Sequence, residues 1–291
     1  MAHQVNDLSD DDIVHLCPNP GAEKCGRLLE KILGDIIVKY GWSVTGDEAA
    51  NQVYAYHQSL GTNIRVPKVY RYFQRSGIGY LLMEFIDGIP LGNFAPFDEP
   101  VRDLAEAFYD FTTKAKADFP GPRGRGIPRG YLFSEDGAGE PLDSMDKLNL
   151  WLDRRARLTG SEKRFQFQLD DCVFCHLDLS YRNIIKVDES FCLLDWEFAG
   201  FYPRVFERYC ILFLGQEEDY TYAKILADSL DLVYRKYGLN TDDQDLIGLL
   251  NRVYQNNLKY DFGSAFQIDW KAVEDFNICL KKAMVPTEGQ S

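Results

Sequence analysis

The hydrophobic pattern of the first 87 residues predicts a small sheet with one inserted helix. Short apolar stretches bounded by turn residues are typical of strands, and they occur in the two halves of 28–40 on either side of Gly34-Asp35, at 69–73 and at 80–86. After the second stretch, the segment 47–58 repeats apolar side chains at helical spacing, at Ala49, Val53 and Tyr56. Together these segments predict a mostly antiparallel sheet.

From residue 88 onward the pattern is mainly helical. A helix entered through Pro100 has one apolar face, made of Val101, Leu104, Ala105, Phe108 and Phe111. The stretch 120–142 is rich in Gly, Pro and Arg, which predicts a loop, and a helix resumes over 145–158.

Three more elements complete the prediction. A hairpin of two short strands is expected at 183–187 and 191–194, and helices from Phe206 to about Met284. Ser9 followed by Asp12 is a capping pattern that predicts a short helix near the N-terminus. The chain is thus predicted to be α+β with two lobes, an N-terminal lobe at residues 1–87 and a mostly helical C-terminal lobe at 88–291.

Composition and charge narrow the classes of partner. The chain has 291 residues, 45% of them hydrophobic, and a net charge of -13, which favours a globular protein and disfavours non-specific binding to nucleic acid or to anionic membranes. The longest apolar runs, such as 209–214, are too short to span a bilayer, and the N-terminus has no signal-peptide pattern. The seven cysteines are therefore expected to be reduced thiols in a cytoplasmic protein.

The segment DCVFCHLDLSYRN, residues 171–183, fits two incompatible motifs. Cys172, Cys175 and His176 have the C-x-x-C-H spacing of c-type haem attachment, whereas His176, Asp178 and Asn183 have the H-x-D-x-x-x-x-N spacing of a phosphoryl-transfer loop. Haem attachment needs accessible thiols, but the segment 171–175 is typical of a short buried strand. We therefore expect no haem.

The residues around this motif are suited to phosphoryl transfer. Such a reaction needs a carboxylate beside the acceptor hydroxyl, and an amide oxygen with a second carboxylate to hold magnesium. Asp178 can supply the first, and Asn183 with Asp195 can supply the second, because the predicted hairpin brings the last two together. Upstream, Lys39 ends a strand and Glu48 lies on a helix nine residues later, a pair that can support nucleotide phosphates.

These stretches resemble the aminoglycoside phosphotransferase and choline kinase-like family, which has a bilobal protein-kinase-like fold. The matching segments are IIVKYG, the Glu48 helix, LLMEFIDGIPL, FCHLDLSYRNII and LLDWEFAGFYP, and the segments around GPRGRGIPRGYLFSEDG and LNLWLDRR look most like fungal members. The resemblance covers roughly residues 25 to 285. It implies an ATP-dependent phosphotransferase that acts on a hydroxyl of a small molecule.

The resemblance also implies roles for single residues. Asp178 would be the catalytic base, and Asn183 and Asp195 would bind Mg²⁺. Independently of the resemblance, we place His176 with Asp178 in the catalytic site and expect its ring to brace the loop. ATP would be held by Lys39 and Glu48 at its phosphates and by the backbone from Glu84 to Ile86 at adenine. The acceptor, the choice of ATP or GTP and the oligomeric state are left open.

Two departures from the family keep a catalytically weak binding or scaffold protein as the alternative. The family usually has Gly where this chain has Leu177, and leucine does not adopt a positive φ cheaply. No G-x-G-x-x-G loop precedes Lys39.

Three further features could have a functional role or an ordinary surface or structural role. Arg123, Arg125 and Arg129 could bind an anion or belong to a solvated loop, and the acidic run 216–219 could bind an amine or be an exposed turn. Glu197 is expected to form a structural ion pair or hydrogen bond.

Overall fold

The computed structural model describes residues 7–17, 26–94, 98–134, 136–158, 160–217, 220–239 and 243–260. The strands are β1 (Leu28–Leu33), β2 (Ile36–Gly41), β3 (Ile64–Arg65), β4 (Val69–Arg75), β5 (Ile78–Glu84), β6 (Ile89–Pro90), β7 (Cys172–Cys175), β8 (Ile184–Val187), β9 (Ser190–Leu193) and β10 (Gly200–Pro203). The α-helices are α1 (Asp10–Leu16), α2 (Gly46–Ser59), α3 (Asp98–Thr113), α4 (Met145–Arg157), α5 (Val205–Glu217), α6 (Tyr220–Lys236) and α7 (Gln244–Lys259).

The N-terminal lobe is an antiparallel sheet with the strand order β1-β2-β5-β4. The predicted hairpin is confirmed, with its turn at Gly34-Asp35. The capping box of Ser9 and Asp12 is also present, and it begins α1, which buries Ile13 against Val38 and Tyr80 of the sheet.

Helix α2 differs from its prediction in the face that it buries. The spacing of Ala49, Val53 and Tyr56 suggested an apolar buried stripe, but Val53 is 41% exposed. The buried side chains of α2 are instead mostly polar: Glu48, Ala49, Asn51, Gln52, Ala55 and Ser59. Periodicity of apolar residues missed this face because Glu48, Asn51 and Gln52 are buried against partners distant in sequence.

The C-terminal lobe is helical and contains most of the apolar core. The predicted face of α3 is confirmed, since its five apolar residues are all buried against residues of α6. A second cluster joins α4, α5 and α7. The predicted strand at 171–175 and the predicted hairpin at 183–194 are seen as β7 and as β8–β9. Strand β10, which pairs antiparallel with β7, was not predicted.

Two short strands join the lobes. Strand β3, before residue 87, pairs in parallel with β9, so that Ile64 lies opposite Phe191. Strand β6, just after residue 87, pairs with β8. The region beyond α7, where the prediction placed helices as far as Met284, lies outside the described residues. None of the helices in the described ranges combines the length and apolar character needed to cross a bilayer.

Candidate active site

Lys39 is the centre of a charged cluster between the lobes. It lies in β2, and its Nζ donates to Glu48 Oε1 at 2.5 Å and to Asp195 Oδ1 at 3.0 Å. Glu48 comes from the first turn of α2, which Thr45 caps, and Asp195 follows β9. Three segments that are distant in sequence therefore meet at one ammonium group.

Burial and neighbouring charges shift the pKa of Lys39 and of Asp195. Burial alone would lower the pKa of Lys39, but Glu48 and Asp195 raise it, so the ammonium form persists. Burial opposes ionisation of Asp195, but Lys39 and Arg27 hold the pKa of its carboxyl below the usual range. Arg27 contacts Asp195 at 3.6 Å and also pairs with Glu197, as expected of a structural glutamate.

The loop from β7 to β8 holds His176, Asp178 and Asn183 together. His176 is fully buried, its Nε2 lies 2.9 Å from the Leu194 carbonyl oxygen, and its Nδ1 lies 3.2 Å from the Asp178 amide nitrogen. That pattern fits a neutral ring protonated on Nε2, and burial lowers the pKa of His176 accordingly. The ring also packs 4.6 Å from that of Trp196.

Leu177 adopts the left-handed conformation that the sequence made doubtful. Its φ is 64°, and its side chain is buried in the second core cluster. Such a backbone costs roughly 1–2 kcal/mol in a residue with a Cβ, and burial of the leucine side chain offsets a similar amount. This loop therefore adopts with Leu a left-handed conformation that glycine reaches without strain.

Glu207 fixes the backbone of the same loop. Its buried carboxylate, from α5, accepts hydrogen bonds from the amide of His176 at 2.6 Å and from that of Leu177 at 3.0 Å. Burial raises the pKa of Glu207 to about 8, although these two N–H donors oppose the shift. Sequence reasoning missed this residue, because a contact to backbone amides leaves no motif.

Asn183 and Asp195 lie beside each other with oxygen atoms available for a cation. The Leu194 amide donates to the Asn183 carbonyl at 2.8 Å, which brings the two segments together. The Asn183 amide nitrogen donates to Asp178 Oδ2 at 2.9 Å and to the Asp178 carbonyl at 3.1 Å, so its side-chain oxygen is the atom left for a ligand. Magnesium takes such hard oxygen ligands, so these residues fit it. Within the described ranges, no group of three or more His, Cys, Asp or Glu could hold a metal alone.

A cleft of about 440 Å³ opens beside these residues. Its walls include apolar side chains from both lobes, among them Leu28, Ile37, Ile185 and Leu194. A planar apolar ligand would fit between them, since sites of this size usually bury most of a small molecule.

Glu84 and Ile86 line the same cleft at the end of β5. The Glu84 carboxylate is turned to Arg65, at 2.5 Å, so this residue can offer the cleft its backbone rather than its side chain. No described residue accepts a hydrogen bond from the Ile86 amide.

On the far side of the loop, Asp178 faces Tyr131 and Arg182. The Tyr131 hydroxyl is 3.3 Å from Asp178 Oδ1, and Arg182 Nη2 is 3.3 Å from Asp178 Oδ2. Burial raises the pKa of Tyr131 well above its usual range, so its hydroxyl stays protonated. Neither residue was singled out from the sequence, since no motif distinguishes either of them.

Among the remaining sequence features, Arg123 has structural partners. The Arg123 guanidinium pairs with Asp118 and lies over the rings of Phe119 and Tyr54. These contacts favour a role for Arg123 within the loop over a role in anion binding. In the same loop, Gly126 donates its N–H to Asp47 of α2 at 3.1 Å, an approach too close for a Cβ. The acidic run 216–219 falls on residues whose side chains lie outside the described part.

The two thiols of the haem-like motif are inside the protein. Cys172 and Cys175 belong to β7, and both are buried. Burial raises the pKa of Cys172 to about 12 and that of Cys175 further, so neither thiol is a ready nucleophile for thioether formation.

Comparison with known proteins identifies the class. Residues 45–239, more than half of the chain, match the family model described as the phosphotransferase enzyme family. The chain therefore belongs to this family, which confirms the resemblance drawn from its motifs. No curated protein matches the sequence as a relative.

Several solved structures are similar in outline, at low identity. A thermostable mutant of an aminoglycoside phosphotransferase, APH(4)-Ia, is 13% identical with a TM-score of 0.49, covering 89% of this chain and 91% of that one. A choline/ethanolamine kinase family protein from Mesorhizobium loti is also 13% identical with a TM-score of 0.49, covering 99% and 96%. An amicoumacin kinase, solved with AMP-PNP, Ca²⁺ and Ami, is 14% identical with a TM-score of 0.48, covering 100% and 98%.

Proposed function

We propose that this phosphotransferase moves the γ-phosphoryl group of Mg-ATP to a hydroxyl of a small molecule. The observation that carries the proposal is the single cluster in which Lys39 bridges Glu48 and Asp195 beside the Asp178–Asn183 loop. This is the set of groups that phosphoryl transfer requires, because the protein contributes mainly positioning and charge. The proposed division is a nucleotide-binding lobe at 1–87 and a catalytic, acceptor-binding lobe at 88–291.

Each residue of the cluster has a proposed role in binding. Adenine would lie between the apolar walls of the cleft, with its edge toward the backbone of Glu84 and Ile86. Lys39, held by Glu48, would meet the phosphates. Asn183 and Asp195 would hold Mg²⁺, which supplies charge neutralisation at the phosphate oxygens when bound.

Asp178 is the proposed general base. Its carboxylate would take the proton of the acceptor hydroxyl while that oxygen bonds to the γ-phosphorus. The bond from phosphorus to the β–γ bridging oxygen breaks, and ADP leaves with the electron pair. The neutral ring of His176, fixed by the Leu194 carbonyl, holds the backbone from which Asp178 projects.

The alternative, a binding or scaffold protein with little turnover, rested on Leu177 and on the phosphate loop. The φ of 64° at Leu177 removes the first objection, because the residue has the conformation that a glycine would supply. The segment 18–25, before Arg27, lies outside the described residues. We therefore favour the enzyme.

Thermal unfolding in the presence of ligands tests the binding half of the proposal. ATP and MgCl₂ together should stabilise the protein by about 2.7 kcal/mol at one hundred times Kd, whereas either alone should do much less. Asp195→Ala should abolish the effect of magnesium and leave the fold intact, because this side chain is partly exposed to the cleft. No stabilisation of the wild type at millimolar Mg-ATP would favour the scaffold alternative.

Measurements of turnover test the catalytic half of the proposal. ADP release should be measured with a panel of hydroxyl-bearing acceptors that includes aminoglycosides, choline-like alcohols and sugars. A protein that binds Mg-ATP but phosphorylates none of these would have an acceptor of another class, such as a protein side chain.

A further inference from the structure

Arg182 lies where the two halves of the site meet. It belongs to the 3₁₀ turn Tyr181–Asn183, immediately before the proposed metal ligand Asn183. Its Nη2 lies 3.3 Å and 3.4 Å from the two carboxylate oxygens of Asp178. The same side chain lines the cleft together with Lys39 and Asp195. Arg182 therefore faces both the nucleotide cleft and the general base.

The position of Arg182 differs from that of the other cations of the cleft. Lys39 and Arg27 both contact Asp195, at the end where the metal and phosphates would bind. Of the cationic side chains in the described part of the cleft, Arg182 is the one that contacts Asp178. Arg182 thus lines the cleft that contains Lys39 and Asp195 and also contacts the proposed base.

A comparison with a second Arg–Asp pair argues against a purely structural role. Arg208 and Asp231 are both buried, and their bidentate contacts measure 2.9 Å, as in a strong charge-assisted pair. The Arg182 side chain is 44% exposed, and its contacts to Asp178 are 3.3 Å or longer. An ion pair of that kind contributes roughly 0–1 kcal/mol, so phosphate oxygens can compete for the guanidinium.

We infer that Arg182 binds the γ-phosphoryl group and stabilises it during transfer, an inference that rests on the phosphotransferase function proposed above. Charge in this transition state spreads over the non-bridging oxygens, and a planar guanidinium offers several N–H donors to them. The acceptor oxygen bonds to phosphorus, the bond to the β–γ bridging oxygen breaks, and Asp178 takes the acceptor proton. Arg182 donates hydrogen bonds throughout and is unchanged at the end. By turning to phosphate, it also frees the Asp178 carboxylate for that proton.

The experiment compares the affinities for ATP and ADP, so that the contribution of the γ-phosphate to binding is measured apart from that of the rest of the nucleotide. Dissociation constants of Mg-ATP and Mg-ADP should be measured by calorimetry for the wild type, Arg182→Gln and Arg182→Lys. Arg182→Gln should weaken ATP about tenfold, with ADP unchanged within about twofold, and should lower turnover by roughly 10²–10³. Arg182→Lys should recover part of both losses. Arg102→Gln, on the exposed face of α3, is the matched control for loss of one positive charge, and it should change neither constant.

Three results would overturn the inference. Equal weakening of ATP and ADP would make Arg182 a support of the loop, and unchanged ATP affinity with unchanged turnover would remove it from the site. In the Asp178→Asn background, Arg182→Gln should still weaken ATP, so disappearance of the effect there would show that the arginine acts only through Asp178. A wild type that binds no Mg-ATP at all would instead overturn the proposed function, and this inference with it.

Discussion

The candidate site contains two buried glutamates whose hydrogen-bond partners are of different kinds. Glu48 is paired with a side chain, the ammonium of Lys39 at 2.5 Å. Glu207 is paired with backbone, the amides of His176 and Leu177. Burial raises the pKa of both, to about 7 for Glu48 against the effect of Lys39, and to about 8 for Glu207.

The difference between these partners indicates that the two glutamates support different parts of the site. The Glu48–Lys39 pair places an ammonium group in the cleft that we propose binds the nucleotide, so its importance lies in what that group would bind. The contacts of Glu207 instead hold the backbone of the loop from β7 to β8. Changes at Glu48 should therefore affect ligand binding, whereas changes at Glu207 should affect the stability of the loop.

The largest effect is expected from Asp178→Asn, which changes the loop that Glu207 holds without touching either glutamate. The substitution keeps volume and removes most basicity, so turnover should fall by roughly 10²–10⁴, in kcat and kcat/KM together. ATP affinity measured by calorimetry should change little. Full turnover on a true acceptor would remove Asp178 from the role of base and favour the scaffold alternative.

Glu207→Ala should have the next largest effect, and on stability. It leaves the amides of two buried loop residues without an acceptor, at a cost of about 1–3 kcal/mol each. Chemical denaturation should show the loss, together with lower turnover, because the loop loses its anchor. A variant that is as stable as the wild type would show that other groups hold the loop.

The pH dependence of stability should distinguish Glu207 from a surface glutamate. Its pKa is about 8 in the folded state, above the usual value, so the native state keeps a proton that the unfolded chain has lost. The contribution of Glu207 is therefore present at low pH and is lost as pH rises from about 4.5 to about 8, by on the order of 1 kcal/mol per pH unit.

Glu207→Gln should flatten this decline when the free energy of unfolding is measured across that range. Glu48→Gln is the comparison. The pH-dependent contribution that this substitution removes should extend only to about pH 7, because the pKa of Glu48 is about 7. Equal slopes for wild type and Glu207→Gln would contradict a raised pKa at Glu207.

The smallest effect is expected from Leu177→Gly. Glycine relieves roughly 1 kcal/mol of backbone strain at this positive φ, but it gives up about 1.5–3 kcal/mol of side-chain burial. The net result should be a loss of about 0.5–2 kcal/mol in denaturation, with turnover per folded molecule unchanged. A large fall in turnover would mean that the leucine side chain shapes the site.

The parts of the site that follow from sequence are those in which side chains meet other side chains or a ligand. Lys39, Asp178 and Asn183 stand at spacings typical of phosphoryl transfer, so their types and positions were predictable. Their role in catalysis stays a prediction. The longer strands of the N-terminal sheet, the β8–β9 hairpin and most helices were also predictable, because their core positions recur at periods of two or 3.6 residues.

Other features could not be predicted because their partners are backbone atoms or distant polar groups. Asn51 was hidden in this way: its amide nitrogen donates to the Ala199 carbonyl at 2.7 Å, and its side-chain oxygen accepts from the Arg123 amide at 2.8 Å. These contacts bury the polar face of α2, which an apolar pattern cannot reveal. Strand β10 lacked a signal for a similar reason, since GFYP is short and includes a Pro.

The pairing of β3 with β9 also sets the order in which the chain can fold. The sheet of β1, β2, β4 and β5 contains no residue beyond Glu84, so it can form while the rest is still being synthesised. Strand β3 must wait for Phe191 and Cys192, its partners far downstream. Helix α2 leads into β3 within a few residues, so the helix that bears Glu48 is joined to the second lobe through β3 only after the chain has been made as far as Cys192. The N-terminal sheet can therefore be complete on a nascent chain before the cluster around Lys39 has been assembled.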